Sequence, residues 1–248
     1  MQLQQFLRNN PKIAIAFSGG VDSTYLLYAA KAAGCDVSAY FIKSQFQPRT
    51  EHNDAIRLAA HIGASLKVDA LNILDYPEVT GNPADRCYFC KTRILQRLKE
   101  LAYADGYTVI CDGTNSDDDE SDRPGMRAQR ELGVISPLRQ CGLTKADIRR
   151  LSEEAGLPTY DKPSYACLAT RIPTGTVITE SILEKIERSE EALMEMGFSD
   201  FRVRFVPPGD AKVQVQEKEW VAAAARRREI LSALQPLFTG IVLDMNTR

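Results

Sequence analysis

The sequence predicts an α/β protein, with a doubly wound parallel sheet followed by a smaller C-terminal α+β domain. Short β-branched, apolar runs alternate with amphipathic helical patterns through the first part of the chain. A glycine pair joins the first of these runs to the first long helix. The pattern changes near Gly175, after which two strands follow one another between helices. We therefore predict domains at residues 1–174 and 175–248.

The elements of the larger domain follow one another in a regular order. A short helix over residues 1–9 precedes a buried strand at 13–17, and the glycines lead into a helix. Thr144 and Asp147 have the spacing of a capping box at the start of a later helix. The remaining strands are predicted at 36–42, 64–71, 107–111 and 134–138, and the remaining helices at 51–63, 91–101 and 144–156.

The smaller domain is predicted from a second set of patterns. Its helices are expected at 180–196 and 217–234, and its strands at 201–205, 212–216 and 240–245.

Composition and charge exclude several classes of protein. The net charge of −2 gives no general attraction to nucleic acid. No apolar run approaches the roughly 20 residues that a membrane span needs, and we find no export signal. Six cysteines in a chain without such a signal indicate a reducing compartment. We expect a cytoplasmic protein that binds neither nucleic acid nor membrane.

The stretch Ser18–Ser23 (SGGVDS) carries the first functional signal. Its two glycines allow a tight turn from strand to helix, and the first N–H groups of the helix favour an anion. Ser18 and Ser23 add hydroxyl donors, and Asp22 adds a carboxylate that can hold a phosphate-bound Mg²⁺. No lysine follows the glycines, so this is not the GxxxxGK[ST] loop. A turn that only packs well is the simpler alternative.

This stretch resembles the SGGxDS signature of the PP-loop ATP pyrophosphatases. The resemblance implies that ATP is cleaved between its α- and β-phosphates and that AMP is placed on a substrate, with ATP and Mg²⁺ as cofactors. Ligands of parallel sheets bind at the carboxyl ends of strands, which adds residues after the second and fourth strands. The predicted ATP-binding residues are Ser18, Gly19, Gly20, Val21, Asp22, Ser23, Phe41, Ser44, Gly113, Thr114 and Asn115.

An acidic run, residues 116–122, follows this last group. Acidic runs are usually solvated loops. Because this one starts at the end of a parallel strand, its carboxylates are also candidates to hold Mg²⁺ or a ribose hydroxyl.

Cys87 and Cys90 form a CxxC pair just ahead of the predicted helix at 91–101. Two thiols at this spacing can bind one metal centre. One such pair is a weak signal, which also fits half of a zinc site, two half-buried cysteines or a redox pair.

Cys167 lies between small residues, four positions before Arg171. A nearby cation lowers the pKa of a thiol and favours the nucleophilic thiolate, so both residues are candidate catalytic residues. A lone cysteine in an apolar setting is otherwise a core residue.

The segment 163–175 (PSYACLATRIPTG), together with the upstream DGTN and RPGMRA runs, resembles the LarE family of PP-loop sulfur transferases. The resemblance extends from Ile13 to about Arg204. It implies that a carboxylate of pyridinium-3,5-biscarboxylic acid mononucleotide is adenylylated and then converted to a thiocarboxylate, for a nickel-pincer nucleotide cofactor. It also implies a central role for Cys167 in sulfur delivery, and a homo-oligomer, specifically a hexamer.

The sulfur source divides this family. In single-cysteine members the cysteine gives up its own sulfur and becomes dehydroalanine. With Cys87 and Cys90 as well as Cys167, this chain resembles the three-cysteine members, in which a 4Fe–4S cluster is held by three thiolates and leaves one iron open. We favour the cluster. Cys35 and Cys111 are interpreted as core residues, and Cys141 is given no role.

Arg202 and Arg204 alternate with apolar residues and therefore lie on one face of a predicted strand, suited to bidentate binding of a phosphate. The LarE resemblance assigns the matching arginines, and a glutamate that corresponds best to Glu190, to the phosphate of the nucleotide substrate. An edge strand that uses arginines against aggregation is the alternative.

Three functions fit these observations. The first is the sulfur transferase, acting on a small nucleotide substrate. The second is a PP-loop tRNA thiolase, which the acidic charge balance disfavours. The third is a non-catalytic nucleotide-binding regulator, which has no need of the three cysteines.

Overall fold

The computed structural model describes residues 2–118 and 124–247. In chain order, the helices of these residues are α1 (Leu3–Asn9), α2 (Val21–Ala32), α3 (Arg49–Ile62), α4 (Pro77–Thr80), α5 (Arg86–Ala104), α6 (Pro124–Glu131), α7 (Pro137–Gln140), α8 (Lys145–Glu154), α9 (Glu180–Glu195), α10 (Glu217–Ala225) and α11 (Arg227–Leu234). The strands are β1 (Lys12–Ala16), β2 (Asp36–Lys43), β3 (Ser65–Ala70), β4 (Ile110–Asp112), β5 (Phe201–Val206), β6 (Asp210–Val215) and β7 (Ile241–Leu243).

The chain divides into two compact units, residues 1–73 with 85–165 and residues 74–84 with 166–248. The second unit thus starts nine positions before the predicted boundary at 175 and includes an earlier segment. Backbone hydrogen bonds explain this inclusion, because Gly175 N–H donates to Asn82 O and Ile178 N–H to Thr80 O, each at 2.8 Å.

The first unit contains a parallel sheet with the strand order β3-β2-β1-β4. Alternate residues of its central strands face opposite layers, as a doubly wound sheet requires. On one face Ile13 and Ile15 join a buried cluster with Leu26 of α2. On the other face Ala14 joins a cluster with Leu95 of α5. The predicted α/β class, with a smaller second sheet, is confirmed.

Two predicted strands differ in the structure. The strand expected over 107–111 begins only at Ile110. The strand expected over 134–138 is wrong, because Ile135 makes a single isolated bridge with Cys111 and Pro137 begins α7. Proline has no N–H to donate to a neighbouring strand, and its fixed φ suits the first turn of a helix.

The predicted capping box is confirmed at the start of α8. The Thr144 hydroxyl accepts from the Asp147 N–H at 3.1 Å, and the Asp147 carboxylate accepts from the Thr144 N–H at 3.1 Å. The Thr144 hydroxyl and the Thr144 N–H both donate to the Asp147 carboxylate, and these hydrogen bonds hold the pKa of Asp147 below its ordinary value. The start of α8 is therefore fixed by local interactions.

The second unit contains a three-stranded sheet in which β5 and β6 are antiparallel and β6 and β7 are parallel. Leu183, Ile186 and Leu193 of α9 are buried. The single helix predicted over 217–234 is divided between α10 and α11 at Arg226. At this division the Arg226 side chain donates to the Met196 carbonyl and pairs with Glu229.

Across residues 2–118 and 124–247, we find no helix with both the length and the apolar character needed to cross a bilayer.

Replacing Thr144 with Ala removes the acceptor for the Asp147 N–H. We expect the free energy of unfolding, measured by urea titration, to fall by about 1 kcal/mol. Thr144→Ser keeps the hydroxyl and is expected to stay within about 0.5 kcal/mol of the wild type. An equal loss in both variants would show that the hydroxyl does not stabilise the helix.

Candidate functional site

The SGGVDS turn lies between the end of β1 at Ala16 and the start of α2 at Val21. Gly19 has a φ of +69°, and a Cβ there would lie 3.3 Å from the backbone nitrogen of Ala55 in α3. Gly20 is the N-cap of α2 and provides no side-chain cap. The predicted motif thus has the predicted geometry, with the amino end of a twelve-residue helix directly behind a tight turn.

The two serines of the motif stabilise the turn itself. Their hydroxyl oxygens lie 3.1 Å apart, and the Ser23 hydroxyl accepts from the Ser18 N–H at 3.3 Å. The Ser23 hydroxyl also donates to the Gly20 carbonyl at 3.3 Å. We predicted these hydroxyls as donors to a ligand, and their contacts in the structure add an internal role.

Asp22 forms an ion pair with Lys145, at the first position of α8, over 2.6 Å. The other carboxylate oxygen of Asp22, Oδ1, is buried and has no hydrogen-bond partner among the described residues. A buried carboxylate oxygen without a donor is suited to a cation, and hard carboxylate oxygen is the ligand that Mg²⁺ prefers. The predicted Mg²⁺ ligand therefore fits the ion. The sequence analysis did not identify Lys145.

Lys162 approaches the turn from a different segment. Its ammonium group donates to the Gly19 carbonyl at 3.1 Å and to Asp54 of α3 at 2.8 Å. Burial raises the pKa of Asp54, but hydrogen bonds from Lys162 and Arg57 hold it below its ordinary value. Two lysines far away in the sequence thus meet the SGGVDS turn, although the motif itself contains none. No local pattern distinguishes them from other lysines of the chain.

The residues after β4 lie against the same turn. A Cβ on Gly113 would lie 2.7 Å from the Ser23 backbone nitrogen, so the strand end and the helix start are in direct contact. We predicted Gly113 as an ATP-binding residue, and its close approach to Ser23 adds a packing constraint. Thr114 donates from its hydroxyl to Asp112 at 2.9 Å, and Asn115 accepts from the Asp117 N–H at 2.9 Å.

Phe41 and Ser44, predicted to bind ATP, lie at the carboxyl end of β2 and are buried. The Phe41 ring packs in the core cluster and lies 5.6 Å from the His52 ring. Ser44 donates to the Gln47 side chain at 2.7 Å. The structure thus gives both residues internal contacts.

Cys87 and Cys90 lie within the first five residues of α5, which begins at Arg86 and not at the predicted residue 91. At this spacing their side chains share one face of the helix. Cys87 is exposed and Cys90 is half-buried. A cavity of about 260 Å³ is lined by Cys87, Lys91, Thr114, Asp118, Pro124, Gly125 and Met126.

The cavity therefore connects Cys87 to Thr114, at the end of β4. Residues 119–122 of the acidic run considered for Mg²⁺ or ribose lie outside the described residues.

No group of three or more His, Cys, Asp or Glu residues suited to a metal ion occurs within residues 2–118 and 124–247. Cys87 and Cys90 belong to the first unit, and Cys167 belongs to the second. Neither unit by itself therefore supplies the three thiolates predicted for a 4Fe–4S cluster. The pair in α5 fits two ligands of a metal centre, and the complete set stays a prediction.

Cys167 directly precedes the 3₁₀ turn Leu168–Arg171 and is half-buried. Its carbonyl accepts from the Thr170 N–H at 3.0 Å and from the Arg171 guanidinium at 3.3 Å. Cys167 and Arg171 are neighbours as predicted, and this guanidinium contact is to the main chain of Cys167. Arg171 is also paired with a carboxylate, Glu190.

The three residues predicted to bind a substrate phosphate lie in the second unit. Glu190 is buried and accepts from Arg171 and from the Val203 N–H at 3.0 Å, so its carboxylate is occupied within the protein. Arg202 is buried and donates to the Phe201 carbonyl at 2.5 Å. Arg204 donates to the Thr170 carbonyl at 3.0 Å. The two arginines share one face of β5 by alternation.

The other three cysteines have the properties of structural residues. Burial raises the pKa of Cys111 to about 12 and also raises the pKa values of Cys35 and Cys141. A thiol with a raised pKa is a poor nucleophile at neutral pH.

The chain has recognisable relatives, although no protein-family model matches it. It is 38% identical over 203 residues to the uncharacterized protein slr1717 of Synechocystis, covering 82% of this chain and 76% of that protein. It is 32% identical over 201 residues to the pyridinium-3,5-bisthiocarboxylic acid mononucleotide synthase of Lactiplantibacillus plantarum, covering 80% and 73%. A tRNA-specific 2-thiouridylase of Pseudothermotoga lettingae is 29% identical over 189 residues, covering 61% and 54%.

Gly113→Ala tests the contact between β4 and α2. The added Cβ meets backbone atoms at 2.7 Å, so we expect the free energy of unfolding to fall by about 1–3 kcal/mol. Gly125→Ala is the matched control, because its Cβ meets the flexible Lys91 side chain at 3.0 Å. Urea titrations that give equal stability for wild type and Gly113→Ala would contradict the proposed constraint.

Proposed function

Because the chain belongs to the LarE family of pyridinium-3,5-bisthiocarboxylic acid mononucleotide synthases, we propose that it is an ATP-dependent sulfur transferase. Its proposed substrate is pyridinium-3,5-biscarboxylic acid mononucleotide, and its product carries a thiocarboxylate in place of a carboxylate. The observation that supports the proposal is the SGGVDS turn, in which Asp22 pairs with Lys145 and the Gly19 carbonyl accepts from Lys162. This arrangement is suited to a polyphosphate and its metal ion.

The first step activates the carboxylate. A substrate carboxylate oxygen attacks the α-phosphorus of ATP, the bond to the α–β bridging oxygen breaks, and pyrophosphate leaves with that electron pair. The start of α2 binds phosphate oxygens through its N–H groups, and the two lysines provide positive charge for the leaving pyrophosphate. Asp22 would hold Mg²⁺, which supplies charge neutralisation of the phosphates when bound.

The second step transfers sulfur. The Cys167 thiolate attacks the acyl carbonyl, and AMP leaves, giving a thioester. Removal of the cysteine α-proton and cleavage of its Cβ–S bond then release the thiocarboxylate and leave dehydroalanine. Such a protein acts once for each sulfur. A 4Fe–4S cluster on Cys87, Cys90 and Cys167, the source that the sequence favours, would instead supply sulfur from outside the polypeptide, and it stays a prediction.

Substrate binding is proposed on β5. Arg202 and Arg204 share a face of this strand and are cationic, which supports binding of the nucleotide phosphate by guanidinium groups. Glu190 is better explained by its internal contacts. Assembly into a homo-oligomer and a cytoplasmic location stay predictions.

A second candidate is tRNA thiolation, which the similarity to a 2-thiouridylase favours. The net charge of −2 disfavours it. Tight, salt-sensitive binding of bulk tRNA in a gel-shift assay would support this candidate and count against the small nucleotide substrate.

Pyrophosphate release tests the activation step. We expect release with Mg²⁺-ATP and the biscarboxylate nucleotide, and none when that nucleotide is omitted. Lys145→Ala removes a charged hydrogen-bond donor and is expected to weaken ATP binding about tenfold or more. Lys31→Ala, an exposed lysine at the other end of α2, is the control for charge. ATP binding without any pyrophosphate would instead indicate a nucleotide-binding regulator.

Metal content tests the sulfur source. We would measure iron, zinc and acid-labile sulfide in protein purified without oxygen, beside Cys87→Ala. About four irons with matching sulfide, lost in the variant, would establish the cluster. Zinc in stoichiometric amount would indicate a structural site. Absence of metal, with dehydroalanine at position 167 after one turnover, would establish Cys167 as the donor.

A further inference from the structure

We propose that the Arg171–Glu190 ion pair is a positioning device that fixes the turn carrying Cys167. The inference rests on the proposed function, in which the Cys167 sulfur must meet an activated carbonyl. It differs from both roles predicted from the sequence, because Arg171 is then not a free cation beside a thiol and Glu190 is not a ligand of substrate phosphate.

The guanidinium of Arg171 holds the turn through three acceptors. Its Nη1 donates to the Ala166 carbonyl at 2.8 Å, to the Thr170 hydroxyl at 2.8 Å and to the Cys167 carbonyl at 3.3 Å. The Thr170 hydroxyl also donates to the Cys167 carbonyl, at 2.8 Å. The main chain on both sides of the Cys167 Cα is thus tied to one planar group, which restricts the direction of its Cβ.

Glu190 fixes the other edge of that planar group. Its two carboxylate oxygens accept from Arg171 Nε at 2.9 Å and Nη2 at 3.1 Å. The oxygen that accepts from Nε also accepts from the Val203 N–H at 3.0 Å. The pair therefore joins the Cys167 turn to both α9 and β5.

The burial of the pair indicates why an ion pair is present. Both side chains are 1% exposed, so their desolvation offsets most of their mutual attraction. An apolar pair of similar volume would serve stability at least as well. The planar guanidinium provides donors in fixed directions, on one edge to Glu190 and on the other to the Cys167 turn. The ammonium group of a lysine has no such fixed geometry. The ion pair therefore adds a fixed position for the Cys167 turn and not extra stability.

The experiment measures thiocarboxylate formed per pyrophosphate released, together with the KM for the nucleotide. In Glu190→Gln we expect this ratio to fall about tenfold or more, because a small misplacement of a reacting group has an effect of that size. A raised KM with an unchanged ratio would overturn the proposal and would restore Glu190 as a phosphate ligand.

Two further variants separate positioning from stability. Leu193→Ala removes a buried α9 side chain without changing charge, and we expect a lower melting temperature with the wild-type ratio. The double variant Arg171→Gln with Glu190→Gln leaves no unpaired buried charge, so its melting temperature should recover while its ratio stays low. If the ratio of thiocarboxylate to pyrophosphate falls with melting temperature across all variants, the ion pair has only a structural role.

A third readout needs no activity. Alkylation of Cys167 by iodoacetamide at one fixed pH, followed by peptide mass spectrometry, reports how firmly the turn is held. We expect about fivefold faster alkylation in the double variant than in the wild type, because a loosened turn opens more often. Unchanged alkylation would overturn the positioning role. Wild-type protein that releases no pyrophosphate would instead overturn the proposed function, and the alkylation result would stand separately.

Discussion

The contact between Gly113 and Ser23 is the constraint on which the candidate nucleotide site depends. In a parallel sheet, neighbouring strands end at the same edge, so the segments that leave β1 and β4 must share that edge. Here the start of α2 lies directly against the end of β4, and a Cβ at Gly113 would lie 2.7 Å from a backbone nitrogen. The absence of a side chain at one position therefore brings the helix amino end and the loop after β4 together. The SGGVDS turn, Asp112 and the cavity at Thr114 follow from this approach.

The ion pairs around the SGGVDS turn are partly exposed, so each lysine can change its carboxylate partner for another anion. Asp22 and Lys145 retain 21% and 30% of their side-chain exposure, and Lys162 is similarly accessible. Pairs of this kind contribute little to stability, because water competes for both partners. A phosphate can therefore replace a carboxylate as the partner of either lysine at low cost. The lysines contact the turn in the protein without ligand, and under the proposed function they also contribute charge to phosphate binding.

The Arg171–Glu190 ion pair of the second unit differs from these pairs because it is buried. Arg171 and Glu190 are almost fully excluded from solvent, and both have additional main-chain partners. Breaking such a pair leaves an uncompensated buried charge, so its geometry is maintained. Under the proposed function, exchangeable pairs suit a site that binds and releases a polyphosphate, whereas fixed geometry suits the delivery of sulfur to a carbonyl. One chain thus uses the same type of interaction in two ways, and burial determines which.

The sequence by itself determined the features that depend on neighbouring residues. Alternation of apolar residues predicted β1 and β2, the glycines predicted the turn before α2, and Thr144 with Asp147 predicted a helix start, because each signal acts within a few positions. Local patterns gave a wrong strand at 134–138, where Pro137 begins α7, and a late start for α5, which begins at Arg86. Tertiary structure alone decided that Lys145 and Lys162 meet the turn, across separations of 123 and 143 positions. It also decided that Glu190 pairs with Arg171 and that Phe41 packs in the core. The periodicity of apolar residues indicates whether a side chain is buried. Which residue it contacts depends on packing between segments that are far apart in the sequence.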